Sequence, residues 1–580
     1  MKYLFALVLL SFSLVAQAPA RRAASANPNP GVAANPADVP PPSVKPEDKC
    51  ALEGTVISSV TGEALKKARL TLRPLGMQNG MPGVPYGAST DGAGHFLIDN
   101  VDPGRYSFTA SRNGFVSQQY SPQGNSRQGT TLTLTNGQKL KDLSFKLTPQ
   151  GVIAGRILDE DGDPMSNVMV QVMVFGYQRG KKQLMNRNGV STDDRGEFRI
   201  HGLSPGKYIL AATYQSPDIM MMIGAAGAQP PAQEEGYATT YYPNTTSASN
   251  ASEVNITPGA QVTGINMTLA RVRTVRVTGR VNGVANTQGR RNLMVMLMPR
   301  DNMGFMPRGM ARVTDAQGNF QMRGIAPGSY TLRADYNNDN MRFSAHMPLE
   351  VGNSNIEGIE LNLSPPVEVK GKVVIEENGS LAGTRPNILF QPKITSNMIG
   401  SGRAQFQDDT SFQVNNVSLD AYDVTVTNLP DGYYLKSVRM GQQDVTETGV
   451  DFSQGAPGEM TVTINPNGGQ IDGTVQNDKG DPAGSAMVTV IPDEEHRSLG
   501  WLYRTSNTDQ NGHFTIKGLR PGKYTVYAWE DIEQGAYQDP DFVKPHESSG
   551  EKVEISEGGH SAIQLKVVPA EKSGSEKAVR

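Results

Sequence analysis

Thr192-Asp193-Asp194-Arg195-Gly196-Glu197-Phe198, followed by Pro205-Gly206-Lys207-Tyr208, is one copy of a pattern, Thr-Asp-x-x-Gly-x-Phe and then Pro-Gly-x-Tyr, that this chain writes four times. The other full copies begin at Thr90-Asp91, Thr314-Asp315 and Thr508-Asp509 and end at Tyr106, Tyr330 and Tyr524. Aspartate and proline stand twelve residues apart in every copy. A fifth, worn copy keeps Phe412 and Tyr422 at the shared ten-residue separation but has Ser418-Leu419-Asp420-Ala421 where Pro-Gly would stand. Self-similarity at so long a period marks an array of small domains rather than one large enzyme.

The phrase has a mechanical reading. Asp and Gly build a hairpin turn, and Phe and the residue two further on point inward. Pro-Gly is expected to make a type II turn with glycine at positive φ. Tyr then opens the next strand as a tyrosine corner, with its ring in the core and its hydroxyl on nearby backbone. Every residue has a folding job, so the phrase carries no weight as a catalytic motif.

Each unit opens with a short strand around a central glycine: Gly54, Gly155, Gly279, Gly371 and Gly473. Each closes with an alternating apolar strand, such as Leu143-Phe145-Leu147 or Ile563-Leu565-Val567. Alternation of period two means one buried and one solvated face, as in antiparallel sandwiches. Pro149, Pro365, Pro466 and Pro569 stop four of the closing strands, because proline has no ladder donor. The chain therefore reads as all-β, a tandem array of five Ig-like, transthyretin-like Greek-key sandwiches. Their expected spans are 49–148, 149–270 (with a long insertion), 271–364, 365–465 (degenerate) and 466–568, before a charged tail, 569–580. A linear array is expected, in which only neighbours touch.

Before the array, residues 1–20 read as an export signal: Lys2, an apolar run from Leu4 to Val15, and small residues leading to cleavage after Ala20. The run is too short to span a bilayer, and no later segment qualifies, so no membrane insertion is expected after cleavage. Residues 21–48, rich in Pro and Ala, form a stiff linker. The mature protein is expected outside the cytoplasm: periplasmic, envelope-associated or extracellular. A net charge of −3 gives no footprint for nucleic acid. Cys50 stands alone, so no intrachain disulfide forms, and it reads as a small apolar residue opening a strand.

The glycine-centred opening strand, the Gly-Asp-Pro turns at Gly162-Asp163-Pro164 and Gly480-Asp481-Pro482, and the repeated phrase resemble carboxypeptidase regulatory-like domains. That resemblance implies a seven-stranded transthyretin-like sandwich, related to collagen-adhesin B-type modules, in a secreted multidomain protein of acidobacterial type. It implies no peptidase activity.

Candidate chemistry is sparse. None of the seven histidines begins a zinc-peptidase pattern. The C-terminus lacks the Tyr-Arg-Gly-Ser ending of transthyretin-like hydrolases. Lys370 and Lys372 suit the lysine of an isopeptide-forming adhesin module, but the closing strand Met460–Ile464 offers no Asn before Asn465. Asp159, Asp161 and Asp163 resemble half a calcium loop, yet Val170 stands where its last acid belongs. A polar hairpin turn fits better. Met294, Met296 and Met298 alternate at strand period, which suits a sandwich core better than a Cu(I) site. Met303, Met306 and Met310 extend the cluster, and Met220-Met221-Met222 read as a flexible loop.

One ligand platform remains. Trp501 and Tyr503 alternate on one expected strand, and Tyr527 and Trp529 on another, opposite in phase to inward Tyr524, Val526 and Ala528. Outward aromatics beside Glu530, Asp531, Asp539 and Asp541 suit stacking on a sugar ring or docking a protein; the alternative is that the following loop or unit four packs there. No cofactor, metal or catalytic residue is expected. The expected function is a non-enzymatic exported structural or binding protein of the cell envelope, with polysaccharide or an envelope protein as partner. The alternative is an accessory subunit that binds polysaccharide or peptide for a separate hydrolase.

Overall fold

The computed structural model describes residues 45–570 apart from 76, 79–80, 123–128, 215–234, 284–292, 301–306, 314, 316, 339–340, 378, 382–383, 394–401 and 409. The stretches expected to be an export signal and, for almost all its length, a linker, together with the end of the tail, Met220–222, Met303 and Met306, lie outside the described residues.

Strands dominate, and the single α-helix among the described residues is one turn, Pro540–Val543. Buried apolar side chains gather into clusters, and five of these follow the chain in order. They run from Cys50 to Leu147, Ile153 to Leu269, Val275 to Leu363, Val369 to Ile464 and Ile471 to Leu565; we call these stretches segments one to five.

One plan recurs. In segment one, Cys50–Ser58 lies between His95–Val101, antiparallel to it, and Lys139–Leu147, parallel to it. A second sheet orders Tyr86–Ser89, Arg69–Pro74 and Gly104–Ser111, whose far edge is covered by Gln118–Gln119 and Thr131–Leu134. The same parallel pairing of opening and closing strands recurs in every segment. The central glycine explains how the strands close up: a Cβ at Gly54, Gly155, Gly279, Gly371 or Gly473 would come within 3.0 Å of a closing-strand carbonyl oxygen.

The repeated phrase folds as a unit. Thr192 Oγ1 donates to Met165 O (2.7 Å) and accepts from Val168 N (2.9 Å). Thr90 and Thr508 make the same pair of bonds. Asp193 Oδ1 accepts from the amides of Arg195 and Glu197, and Gly196 (φ +70) leaves no room for a Cβ beside Ile157 O. In segment four Asp408 takes this part, accepting from Thr410 N at 2.8 Å and Ser411 N at 2.5 Å. All five tyrosines donate to the carbonyl four residues back: Tyr106 to Asp102, Tyr208 to Ser204, Tyr330 to Ala326, Tyr422 to Ser418 and Tyr524 to Arg520.

Several expectations need correction. Pro-Gly is not a type II turn. Its glycine already opens the strand, with φ +155 at Gly104 and +156 at Gly206, and neither Gly328 nor Gly522 has a positive φ. The tyrosine ring folds back toward this glycine to reach its carbonyl, 3.2 Å from a Cβ placed on Gly328. The methionine stripe faces away from the core: Val295 and Leu297 are buried, whereas Met294, Met296 and Met298 are half-buried on the opposite face. Alternation defines two faces, and the β-branched and leucine face took the inside. Asp159 Oδ1 accepts from Asp161 N and Asp163 N, as a polar turn requires. Cys50 is buried at a strand start, its Sγ donating to Thr135 O at 3.1 Å.

Contacts also skip neighbours. Gln510 of segment five clasps the backbone of Thr133 in segment one, accepting from its N–H (3.1 Å) and donating to its carbonyl (2.9 Å). Asn507 Nδ2 donates to Gly129 O, and Ser485 Oγ donates to Ser121 Oγ. The long hairpin of segment two, Val168–Gln178 and Lys181–Ser191, touches segment five through Tyr177 on Phe542 (6.0 Å). An array in which only neighbours touch would contain neither contact.

Candidate binding cleft

The expected aromatic platform divides. Tyr527 and Trp529 do take the opposite phase to Tyr524, Val526 and Ala528, but both are only 2 % exposed. Residues 530–549 fold over them. Asp539 caps the short helix by accepting from Asp541 N, with Pro540 next in line, and Phe542 and His546 then pack on Trp529 at 5.6 and 5.2 Å. Trp529 stacks on Tyr527 at 5.4 Å and donates Nε1–H to Thr489 Oγ1. Tyr503 joins this second core, its hydroxyl on Arg497 O and its pKa pushed up to about 12 by burial. A sugar has no access to Tyr527 or Trp529, whereas the rim of Tyr503 lines the cleft described next. The capping signature Asp539-Pro540-Asp541 was the available sequence signal for the cover.

Trp501 goes elsewhere. Gly500–Leu502 is a 3-10 turn rather than a strand, and the indole packs half-buried on the core of segment four, with the Arg520 guanidinium 5.6 Å above it. There it lines a cleft of about 950 Å³ between segments four and five, closed on one side by the segment-two hairpin tip, Arg179-Gly180.

The cleft wall is cationic. Arg504 NH1 donates to Trp501 O (2.6 Å) and Tyr503 O (3.0 Å), and burial pulls its pKa below the ordinary arginine value. Arg497 has a buried Nε with no hydrogen-bond partner among the described residues. Arg179 donates to Pro392 O at 3.4–3.5 Å, and Lys517 is exposed. Among the described lining acids, Asp423 faces Lys393 (3.5 Å) and Glu447 faces Arg520 (3.0 Å). Asp431 is the lining acid left over.

Lys370 and Lys372 are exposed beside Glu368 and Glu459. A Lys-Glu-Asn set does form nearby: Lys436 Nζ and Asn465 Nδ2 both donate to Glu376 Oε2 (2.6 and 2.8 Å). Its electrostatics oppose amide formation. The Glu376 bond raises the Lys436 pKa, and the Lys436 and Asn465 bonds lower that of Glu376. A nucleophilic amine and a protonated acid are the reverse of what this site favours. Instead Asn465, fully buried, also donates to Glu557 (2.7 Å) and ties segments four and five together. No group of three or more potential metal-ligating His, Cys, Asp or Glu occurs among the described residues, and none of their helices is long and apolar enough to cross a membrane.

Comparison with known proteins fits this geometry at the two ends of the array. Residues 51–148 and 470–558 match the carboxypeptidase regulatory-like domain. Colossin-A of Dictyostelium discoideum is 22% identical over 242 residues, which is 38% of this chain, and the chain spans 2% of that relative. Among solved structures, a streptococcal ancillary pilin aligns with 55% of this chain and 99% of its own at 11% identity and a TM-score of 0.19. BcpA, the major pilin subunit of Bacillus cereus, aligns with 55% and 100% at 13% identity and 0.13. A putative adhesin from Bacteroides ovatus aligns with 37% and 92% at 12% identity and 0.15. The two matched stretches coincide with segments one and five, so one wall of the cleft, segment five, lies in a matched stretch and the other, segment four, does not.

Proposed function

We propose that this chain is a non-enzymatic, exported structural and recognition protein, and that its working site is the cleft between segments four and five. One observation carries the reading. The hydroxyls and carboxylates that recur from segment to segment are bonded to the chain's own backbone, so the repeated chemistry serves folding. The cleft is different, being unrepeated, concave and lined by cations whose charge the neighbouring carboxylates leave uncompensated. The folding units are proposed to be 49–148, 149–270, 271–364, 365–465 and 466–568, with limited proteolysis expected to cut first within 214–240 or 365–465. Incubation of the purified chain with peptides and polysaccharides should give binding without cleavage. Hydrolysis by the homogeneous protein would overturn the reading.

A further inference from the structure

Four of the five segments cover one particular sheet edge with a strand of their own; segment four leaves it open. The edge belongs to the strand carrying the recurring tyrosine of the repeat, and two residues on it mark the comparison. In segment one they are Phe108, whose carbonyl accepts from Tyr120 N (2.7 Å), and Ala110, paired with Gln118. In segment two, Leu210 O accepts from Tyr242 N (3.1 Å) and Ala212 pairs with Thr240. In segment three, Leu332 and Ala334 pair with Met347 and Ala345. In segment five, Val526 and Ala528 pair with Glu551 and Val567.

The corresponding strand of segment four is Ala421–Thr427, and the two positions are Val424 and Val426. On one side this strand pairs along its length with Asn387–Pro392. On the other, only Ala421 and Tyr422 find partners, Asp451 and Val450. Lys393 N donates to Ala421 O on the first side, and Phe452 N donates to Asp420 O on the second. Backbone groups alternate sides along an antiparallel strand, so Val424 and Val426 direct their N–H and C=O to the second side. Among the described residues no backbone group meets them there. Asp423 to Leu429 line the cleft without a break.

A row of unmet donors and acceptors is a template for another strand. The four sister segments show what fits the place: extended polypeptide. The cleft wall adds the charge preference, since Arg179, Arg497, Arg504 and Lys517 face Asp431 as the one lining acid not matched to a cation. We propose that segment four binds an acidic, extended peptide of a partner protein as an added β-strand on Val424 and Val426. The inference deepens the recognition reading above and rests on it.

The test uses the full exported chain and a blocked nonapeptide alternating Glu and Val. Hydrogen exchange is resolved to single amides, at Val424 and Val426 and, for reference, at their paired counterparts Leu332 and Ala334. In the free protein the Val424 and Val426 amides should exchange at least about tenfold faster than these counterparts, and the peptide should slow them. A Lys-Val peptide, and a Glu-Val peptide N-methylated along one edge, should give no such protection. Lys517→Glu and Arg179→Glu, both at exposed positions, should each weaken binding about tenfold with unchanged circular dichroism. Four results overturn the proposal. They are protection already present in the free chain, no protection by the peptide at about 1 mM, equal protection by either control peptide, or an acidic polysaccharide that competes for the cations while the peptide leaves the amides open. Protection accompanied by cleavage would sink the non-enzymatic reading and leave strand addition standing; absence of both sinks only strand addition.

Discussion

At the scale of single residues, the tyrosine of the repeat is the best-defined member. Its hydroxyl reaches the carbonyl four residues back in every segment, including segment four, where Pro-Gly is missing. The corner therefore depends on the ring and the carbonyl, and the preceding dipeptide is dispensable. Tyr208→Phe should cost about 1–2 kcal/mol in chemical denaturation, because Ser204 O loses its donor. Tyr208→Ala should cost about 3–5 kcal/mol by opening a cavity as well. Burial raises the pKa of Tyr422 and Tyr524 from 10.0 to about 12. A raised folded-state pKa contributes stability that is complete below pH 10 and is lost as pH climbs toward 12. Alkaline titration should show tyrosinate absorbance and unfolding rising together in that window. This role was legible in the sequence because hydroxyl, spacing and strand start recur together. The cover over Trp529 was not legible: strand phase says which way a ring points, and only the fold of residues 530–549 says what meets it.

At the scale of elements, the decisive pairing joins the opening and closing strands of each segment. Gly155 sits where a Cβ would strike Ile265 O and the carbonyl carbon behind it. Backbone cannot retreat as a flexible side chain can, so Gly155→Ala should destabilise segment two by roughly 2–4 kcal/mol, with other segments less affected. Urea melts monitored by segment-resolved hydrogen exchange would check this. The helical cover over the aromatic face makes a second forecast. Phe542 is half-buried, so Phe542→Ala should wet Trp529, shift its fluorescence to the red and cost about 1–3 kcal/mol. Opening strands, closing strands and inward Phe positions were readable because period two and the glycine positions agree. The methionine stripe was misassigned for a physical reason: Met294-Val295-Met296-Leu297 is apolar on both faces, and a pattern without contrast does not choose an inside.

At the scale of the whole molecule, the repeat predicts neighbours and the structure adds contacts between segments far apart in the chain. Gln510 holds both backbone groups of Thr133, so Gln510→Ala should speed amide exchange at Thr131 and Thr133 while leaving the cores of segments one and five protected. A second junction titrates. Lys436, then Asn465, hold the Glu376 carboxyl below the ordinary value of 4.5. A depressed folded-state pKa gives stability present above 4.5 that is lost as pH falls through the folded value. The tie from Asn465 to segment five should therefore loosen on the acid side, visible as faster proteolysis near residues 465–468. These long-range contacts were illegible in the sequence because they use ordinary polar residues, with no periodic signature, at surfaces that only the folded segments define.

The parallel pairing of opening and closing strands has a mechanical consequence. Tension applied to the two ends of a segment pulls such strands past each other lengthwise, so their hydrogen bonds are loaded together rather than one after another. Each segment should then resist pulling far better than its thermal stability suggests, yielding abruptly and releasing on the order of 300 Å of chain at ~3.3–3.6 Å per residue. Single-molecule stretching should show discrete rupture events of this size, and Gly155→Ala, by prising one such pair apart, should lower the force of one event only.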